Sequence, residues 1–457
     1  MTGFTNQLNA LRGFYNTGAT RSFDFRREQL QQLKKSILKH EAALNAALFE
    51  DLHKSQEEIW ATETGMVLSE ITATLKALKD WMEPTRVPTN LINFPGKSFL
   101  YPEPLGVVLI IAPWNYPFQL LFMPLIGAIA AGNCIVLKPS ELAAATEKVM
   151  GTIIEETFNP KHVLYAPGEG VTVIPELMDA FRYDHVFYTG GTAVGRIIYQ
   201  KAAAQLTPVT LELGGKSPCI VTPNASLKTA AKRIANVKFS NAGQLCVSPD
   251  YLLVHASVKD ALVGLLKETI VQFYGEHPIA SYDFGRIINR DHFNRLKKLM
   301  ENERLLHGGE HNEEQLFIAP TIVDNPSLNA PIMQEEIFGP LLPVIPYTTD
   351  EEVRSLIQQH ENPLAFYIFT DNKKEAEQWL QAIPFGGGCV NTAAMHYLNK
   401  SLPFGGRGNS GIGKYHGRYS FETFSHIKSV LKTTAWPDMP FAYPPLKGKL
   451  NTLKKLI

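Results

Sequence analysis

Residues 106–141, GVVLIIAPWNYPFQLLFMPLIGAIAAGNCIVLKPSE, decide the fold. They open with a short β-branched run, 106–112, of the kind buried in the middle of a parallel sheet. A loop with a proline at each end follows (PWNYP, 113–117), then an apolar helical stretch to Ala131. A second apolar strand, 133–138, comes next. Strand, helix and strand within about thirty residues predict a right-handed βαβ crossover.

The same alternation spreads outward. Residues 161–166 and 184–189 read as further strands, each followed by a glycine-bearing helix start. Ser140 is a candidate N-cap for the helix after the second strand. The pattern predicts an open parallel sheet with helices on both faces. Its loops PWNYP, KPSE (138–141) and TGG (189–191) then share one edge. A second series starts at Thr207, with strands over 217–223 and 251–255 alternating with helices over 226–239 and 259–273. A helix is predicted over 350–360, and a glycine-rich segment, 385–388, leads to a last strand and the PFGG turn. Upstream, Leu30, Leu33, Ile37, Leu38, Leu44 and Leu48 fall at helical spacings across 26–52, and a second amphipathic helix is predicted over 57–81. Pro84, Pro88 and Pro95 interrupt. The segment up to Glu103 has no helical period and suits an edge strand or a linker.

Bulk properties exclude several classes. A chain of 457 residues is too long for one core, so two or three domains are expected. Lys+Arg and Asp+Glu both number 44, which removes the electrostatic case for a nucleic-acid partner. Residues 1–11 lack the pattern of a signal peptide, and no apolar run approaches the length of a transmembrane anchor. Cys134, Cys219, Cys246 and Cys389 are scattered, with no CxxC or Cys/His pair. Neither a metal site nor a disulfide framework is expected, and a reducing, cytoplasmic setting fits.

Five segments carry chemistry. Cys246 lies in SNAGQLCVSPDY (240–251), a run of small and polar residues that gives a sulfur access to a ligand. A thiolate there can add to a carbonyl; the bland alternative is a small buried hydrophobe. Glu212 interrupts an apolar strand in LELGGKSP (211–218). It reads either as a general base with a raised pKa or as a strand-end glutamate bonded to the next two glycine amides. Asn115 follows a buried strand and could donate to an oxyanion, or simply serve a turn. TGGTAVG (189–195) opens a helix after a strand, as a phosphate-binding turn does, yet it is not GxGxxG and an empty tight turn fits equally. Lys138 and Glu141 of KPSE could bind the hydroxyls of an adenosine ribose, or be a lysine and a helix-capping glutamate facing solvent.

Taken in order, PWNYP, KPSE, the TGG turn, LELGGKSP, GQLC (243–246), QEEIFGP (334–340) and LPFGG (402–406) resemble the aldehyde dehydrogenase superfamily over almost the whole chain. The resemblance implies Cys246 as nucleophile, Glu212 as base, and Asn115 with the Cys246 amide as oxyanion hole. It implies cofactor contacts at Trp114, Lys138, Glu141, Gly190, Gly191, Thr192, Gly195, Glu336 and Phe338. Gly191 stands where a serine is common, which removes one hydroxyl contact. The stretch 401–426 resembles class 3 members of the family. That class implies medium- or long-chain aliphatic or aromatic aldehydes, NAD with NADP also accepted, and a homodimer.

The implied architecture is α/β throughout: a Rossmann-like cofactor domain (1–82 and 103–209), an α/β catalytic domain (210–394) and a small β oligomerisation element (83–102 and 395–430) that pairs strands with a partner. A tail, 431–457, remains. Some class members carry a hydrophobic C-terminal anchor. Here LKGKLNTLKKLI (446–457) is too short and too basic to span, and a solvated or dimer-packed tail is expected over a peripheral membrane contact.

Overall fold

The computed structural model describes residues 3–436, 438 and 443–456. Its N-terminal layer is helical: Thr5–Asn16, Phe23–Lys39, Glu41–Leu52 and Gly65–Met82. Ser22 caps the second of these by accepting from the Phe25 amide at 3.2 Å. The helix predicted over 26–52 is two helices, because His40 leaves helical geometry at φ −100° and ψ 10°. Leu30, Leu33, Ile37, Leu44 and Leu48 are fully buried as expected. Leu38 is not. It stands about 100° round the helix from Ile37 and is 48% exposed.

The first sheet runs in the order Gly411–Ile412, Val209–Glu212, His185–Thr189, Val107–Ile111, Cys134–Lys138, Val163–Tyr165. All neighbours are parallel except Gly411–Ile412, which closes one edge antiparallel to Val209–Glu212. The chain starts at Val107–Ile111, builds to one side, then returns to build the other. That reversal leaves a crevice between the carboxyl ends of Val107–Ile111 and His185–Thr189, the usual ligand position in open α/β sheets. PWNYP and the TGG turn are the loops leaving those two strands.

Helix Pro117–Ala131 is buried at every residue, as a composition apolar but for Gln119 favours. Gly132, in the left-handed region at φ 90°, ends it. The Ser140 cap is corrected: the next helix is Ala144–Thr157, and Ser140 only accepts from Leu142 at 3.4 Å. Asp51 fills the capping role instead, accepting from the Ala145 and Thr146 amides at 3.0 and 2.7 Å.

A second sheet has seven strands in the order Leu305–His307, Thr321–Asp324, Leu341–Tyr347, Tyr251–His255, Pro218–Val221, Ala365–Phe369, Gly387–Val390. Only the first pairs antiparallel. A third, smaller sheet joins Thr85–Val87, Lys97–Pro104 and Ser425–Lys432. Lys97–Pro104 is its middle strand, which corrects the edge-or-linker expectation. The full-length partner, Ser425–Lys432, is far along the chain and leaves no local signal. Thr85–Val87 reaches only Ser98, Phe99 and Leu100, so Pro102 and Pro104 have one neighbour, where prolines are tolerated.

The proline-rich stretch 437–445 lies partly outside the described residues. Beyond it, Leu450–Leu456 is a short helix. Among the described residues no helix is long and apolar enough to cross a membrane.

Candidate active site

The crevice of the first sheet opens into a cavity of about 670 Å³. Trp114, Asn115, Gly190, Gly191, Thr192, Glu212, Cys246, Glu336 and Phe338 all line it. Of the residues singled out from sequence, Lys138, Glu141 and Gly195 do not. Lys138 is buried; its ammonium meets the Pro139 carbonyl and lies 3.1 Å from Glu141. Glu141 also accepts from the Gly170 amide at 2.9 Å. Lys138 is therefore not the solvent-facing lysine of the bland alternative, whereas Glu141, partly exposed, holds the first amide of helix Gly170–Ala180 as a capping glutamate would. Gly195 is buried one turn into its helix, against Leu213 and Tyr188.

Cys246 follows the turn Ser240–Gly243, where Asn241, Ala242 and Gly243 all take positive φ (48°, 52° and 74°). Ala242 in that region costs about 1–2 kcal/mol. Gln244 holds the strained turn: its side chain donates to Asn241 O and Arg286 O, each at 2.9 Å, and accepts from Ile288 N at 3.0 Å. The thiol is half-buried by surface but sits deep in the cavity wall. Burial pushes it up to about 12, with Glu336 and Glu212 adding to the rise and the Cys246 and Val247 amides opposing it.

Glu212 ends the strand Val209–Glu212. Neither carboxyl oxygen has a partner among the described residues, and burial holds its pKa well above the usual range. The alternative reading, a carboxylate bonded to the following glycine amides, does not hold, because neither oxygen accepts from them. Asn115 donates from Nδ2 to Gln244 O at 3.0 Å, two residues before the cysteine, which leaves its second N–H uncommitted.

The opposite wall carries the QEEIFGP loop. Burial raises the Glu336 carboxyl to about 8, with Asp250 adding to the rise. Arg295 grips this loop's backbone, donating to Ile337 O at 2.7 Å and Glu336 O at 3.3 Å. Phe338, at φ 48°, meets Trp114 edge-on with centroids 5.3 Å apart. At the mouth, helix Thr192–Ala204 starts from Gly191 with no side-chain cap. A Cβ at Gly191 would meet nothing within 4 Å. An uncapped 13-residue helix with open space at its N-terminus suits a cofactor phosphate. The remaining lining is largely apolar and aromatic, from Tyr116, Leu120, Leu245, Tyr397, Phe404 and Tyr415.

The aldehyde dehydrogenase family profile matches residues 9–430. The chain belongs to the aldehyde dehydrogenase family. Its relatives place it near class 3. It is 44% identical over 445 residues to the 4,4'-diaponeurosporen-aldehyde dehydrogenase of Staphylococcus aureus (strain NCTC 8325 / PS 47), covering 97% of this chain and 96% of the other. It is 42% identical to the rat "Aldehyde dehydrogenase, dimeric NADP-preferring", over 98% of this chain and 99% of that one. A solved structure described as the substrate-bound state of Staphylococcus aureus AldH matches with TM-score 0.97 at 43% identity, over 100% and 99% of the two chains.

As an aldehyde dehydrogenase the chain is an oxidoreductase, and in and behind its cavity lie groups that carry no sequence motif. Glu58 and Glu63 sit in the stretch read as an amphipathic helix, and Lys54 just before it; all three pack behind the Asn115 loop rather than line the cavity. Glu63 shares a helical face with the buried Val67, Glu70 and Ile71, and that spacing was the available signal. Arg295 and His292 come from helix Arg290–Met300, which no motif marked. The sheet edge occupied by Gly411–Ile412 was likewise unmarked.

Proposed function

We propose that this aldehyde dehydrogenase oxidises aldehydes to carboxylic acids through a thioester on Cys246. The supporting observation is that Cys246, Asn115 and the unpartnered carboxyl of Glu212 face one cavity. Cys246, once deprotonated, attacks the aldehyde carbon. The free N–H of Asn115 and the Cys246 amide receive the oxyanion of the thiohemiacetal. A bound nicotinamide supplies the hydride acceptor, and the carbon left on sulfur is a thioester. Glu212 takes a proton from water, the resulting hydroxide cleaves the thioester, and the cysteine is released for another cycle.

The residues that would hold the cofactor are Gly190, Gly191 and Thr192 at the pyrophosphate, Gly195 packing the turn beneath it, Glu336 at the nicotinamide ribose, and Trp114 and Phe338 beside it. Lys138 and Glu141 would meet the adenosine ribose. We assign NAD as the preferred cofactor, with NADP accepted. The apolar, aromatic lining favours medium- or long-chain aliphatic or aromatic aldehydes.

Further parts of the reading are a homodimer and a cytoplasmic setting. Ser425–Lys432 is an exposed sheet edge with Ile427 and Leu431 at 42% and 47% exposure, suited to pairing with a second copy. The four cysteines are free thiols, as a reducing compartment maintains. The domain division given above completes the reading, adjusted where Val209–Glu212 and Gly411–Ile412 join the first sheet: the first sheet binds cofactor and supplies Asn115 and Glu212, the second unit supplies Cys246, and the third sheet pairs.

The test is an NADH absorbance assay with hexanal and benzaldehyde, run with and without coenzyme A. Turnover without coenzyme A supports the hydrolytic reading. Turnover that requires coenzyme A would replace it with acyl transfer, and no turnover on any member of an aldehyde panel would reject it.

A further inference from the structure

The N-terminal helices carry an ion pair to the centre of the molecule. Lys54 and Glu63 are fully buried, with Nζ and Oε1 2.7 Å apart. Glu63 lies in a widened, π-helical turn, Trp60–Thr64, a distortion frequent at functional sites. Burying two charges costs several kcal/mol per ion before pairing, and apolar side chains of similar volume often stabilise as well or better. What the ion pair touches therefore matters more than the attraction itself.

Lys54 Nζ also donates to Asn115 O at 2.9 Å and lies 3.8 Å from the Tyr116 ring centroid. Glu63 Oε2 accepts from the Gln119 amide at 2.8 Å, in the first turn of helix Pro117–Ala131. The ion pair thus holds the loop at Asn115 itself and at the first turn of the helix that follows it. Asn241 Nδ2 reaches the same Asn115 carbonyl at 2.9 Å. Glu58, beside Lys54, accepts from Ser240 Oγ and Asn241 N, each at 2.8 Å. One charged cluster from the N-terminal helices therefore ties the Asn115 loop to the loop that bears Cys246.

We infer that Lys54, balanced by Glu63, is a positioning residue for the acyl-forming step: it fixes the Asn115 backbone so that the side-chain amide meets the oxyanion on the carbon held by Cys246. The inference rests on the reading of Asn115 as oxyanion donor. A displacement of about 1 Å at such a group costs about a hundredfold in rate.

The experiment compares Lys54→Met, Asn115→Ala and the double variant in two cofactor-free reactions of Cys246. Acylation by p-nitrophenyl acetate, read as the burst of nitrophenolate, forms an oxyanion. Alkylation by iodoacetamide forms none, and reports only whether the thiol is reachable and ionisable. Lys54→Met should slow the acylation burst at least ~tenfold and change alkylation by less than about twofold. Added to Asn115→Ala, it should slow acylation by less than about twofold further, because both changes remove one function.

Should Lys54→Met fail to fold, the comparison runs with Lys54→Met/Glu63→Gln, which removes the orphaned carboxylate. If Asn115→Ala leaves acylation unchanged, the oxyanion reading itself fails. If Asn115→Ala slows acylation but Lys54→Met does not, or its effect multiplies fully with that of Asn115→Ala, the positioning inference is overturned and the oxyanion reading stands. Equal slowing of acylation and alkylation would also overturn it, as a general loss of structure.

Discussion

The Glu336 carboxylate rests against Gly214: a Cβ at Gly214 would stand 1.8 Å from Oε2. The two residues come from different parts of the chain, LELGGKSP and QEEIFGP, and the contact exists only because one of them has no side chain. The Gly215 amide, on the same segment, partly offsets the rise that burial gives the Glu336 pKa. Gly214→Ala should displace Glu336 from its seat. A hydrogen bond contributes about 0.5–1.5 kcal/mol net, so the cofactor KM should rise several-fold, up to about tenfold. The aldehyde KM should hold. Fluorescence titration with NADH checks this, and unchanged cofactor affinity would remove Glu336 from the cofactor site.

Cys246→Ser should abolish dehydrogenase turnover while leaving cofactor affinity intact. Retention of more than about one-hundredth of the wild-type kcat, only ~2.7 kcal/mol of barrier, would be inconsistent with a sole nucleophile. Steady-state assay and a binding titration on the same preparation measure both.

Glu212→Gln should separate the two chemical steps. If the carboxylate mainly activates the hydrolytic water, rapid mixing with aldehyde and NAD should still give a burst of one NADH per site, followed by a collapsed steady rate. Mass spectrometry should find the acyl group on Cys246. The pH profile carries a sign. Burial favours the protonated form of Glu212, and the deprotonated form is the active base. Wild-type steady turnover should therefore rise with pH along a limb displaced above the ordinary glutamate value of about 4.3. That limb should vanish in the variant. If Glu212 also deprotonates Cys246, the burst itself slows, and raising the pH partly restores it. Wild-type turnover by Glu212→Gln would exclude both roles.

Glu141 bears on cofactor choice. Burial pushes its carboxyl up, but the Gly170 amide, its own amide and Lys138 more than offset this and hold it below the usual range. It is a fixed negative charge near neutrality. Such a charge repels a 2′-phosphate, so kcat/KM should favour NAD over NADP, and Glu141→Gln should narrow the gap. A wild-type preference for NADP would mean that Glu141 does not point at the ribose.

The order of strands and helices was legible because each reports its own period. The run 106–112 is apolar throughout and the helix that follows it is so but for Gln119, and both had to be buried wherever they packed. The motif loops were legible for a related reason: glycines, prolines and an isolated Cys or Glu stand out against an apolar background. Periodicity was less able to place boundaries, as the break at His40 and the late start of helix Ala144–Thr157 show. The latter is capped by Asp51, which no window around Ser140 could contain.

What a side chain meets is set by segments distant in sequence. The chain itself determined that Glu212 would be costly inside a strand. Only packing decided that both its oxygens would lack a partner among the described residues while Glu336 came to rest against the neighbouring Gly214. The composition around residue 57 determined a helix with charges on it. Only the stacking of that helix against the first sheet decided that Lys54 and Glu63 would be enclosed and bonded to Asn115 and Gln119. Likewise Lys97–Pro104 became a middle strand because Ser425–Lys432 returned to it. Local sequence sets backbone preference and the face a segment hides; the energy of a buried polar group depends on partners that the folded chain alone brings within hydrogen-bond distance.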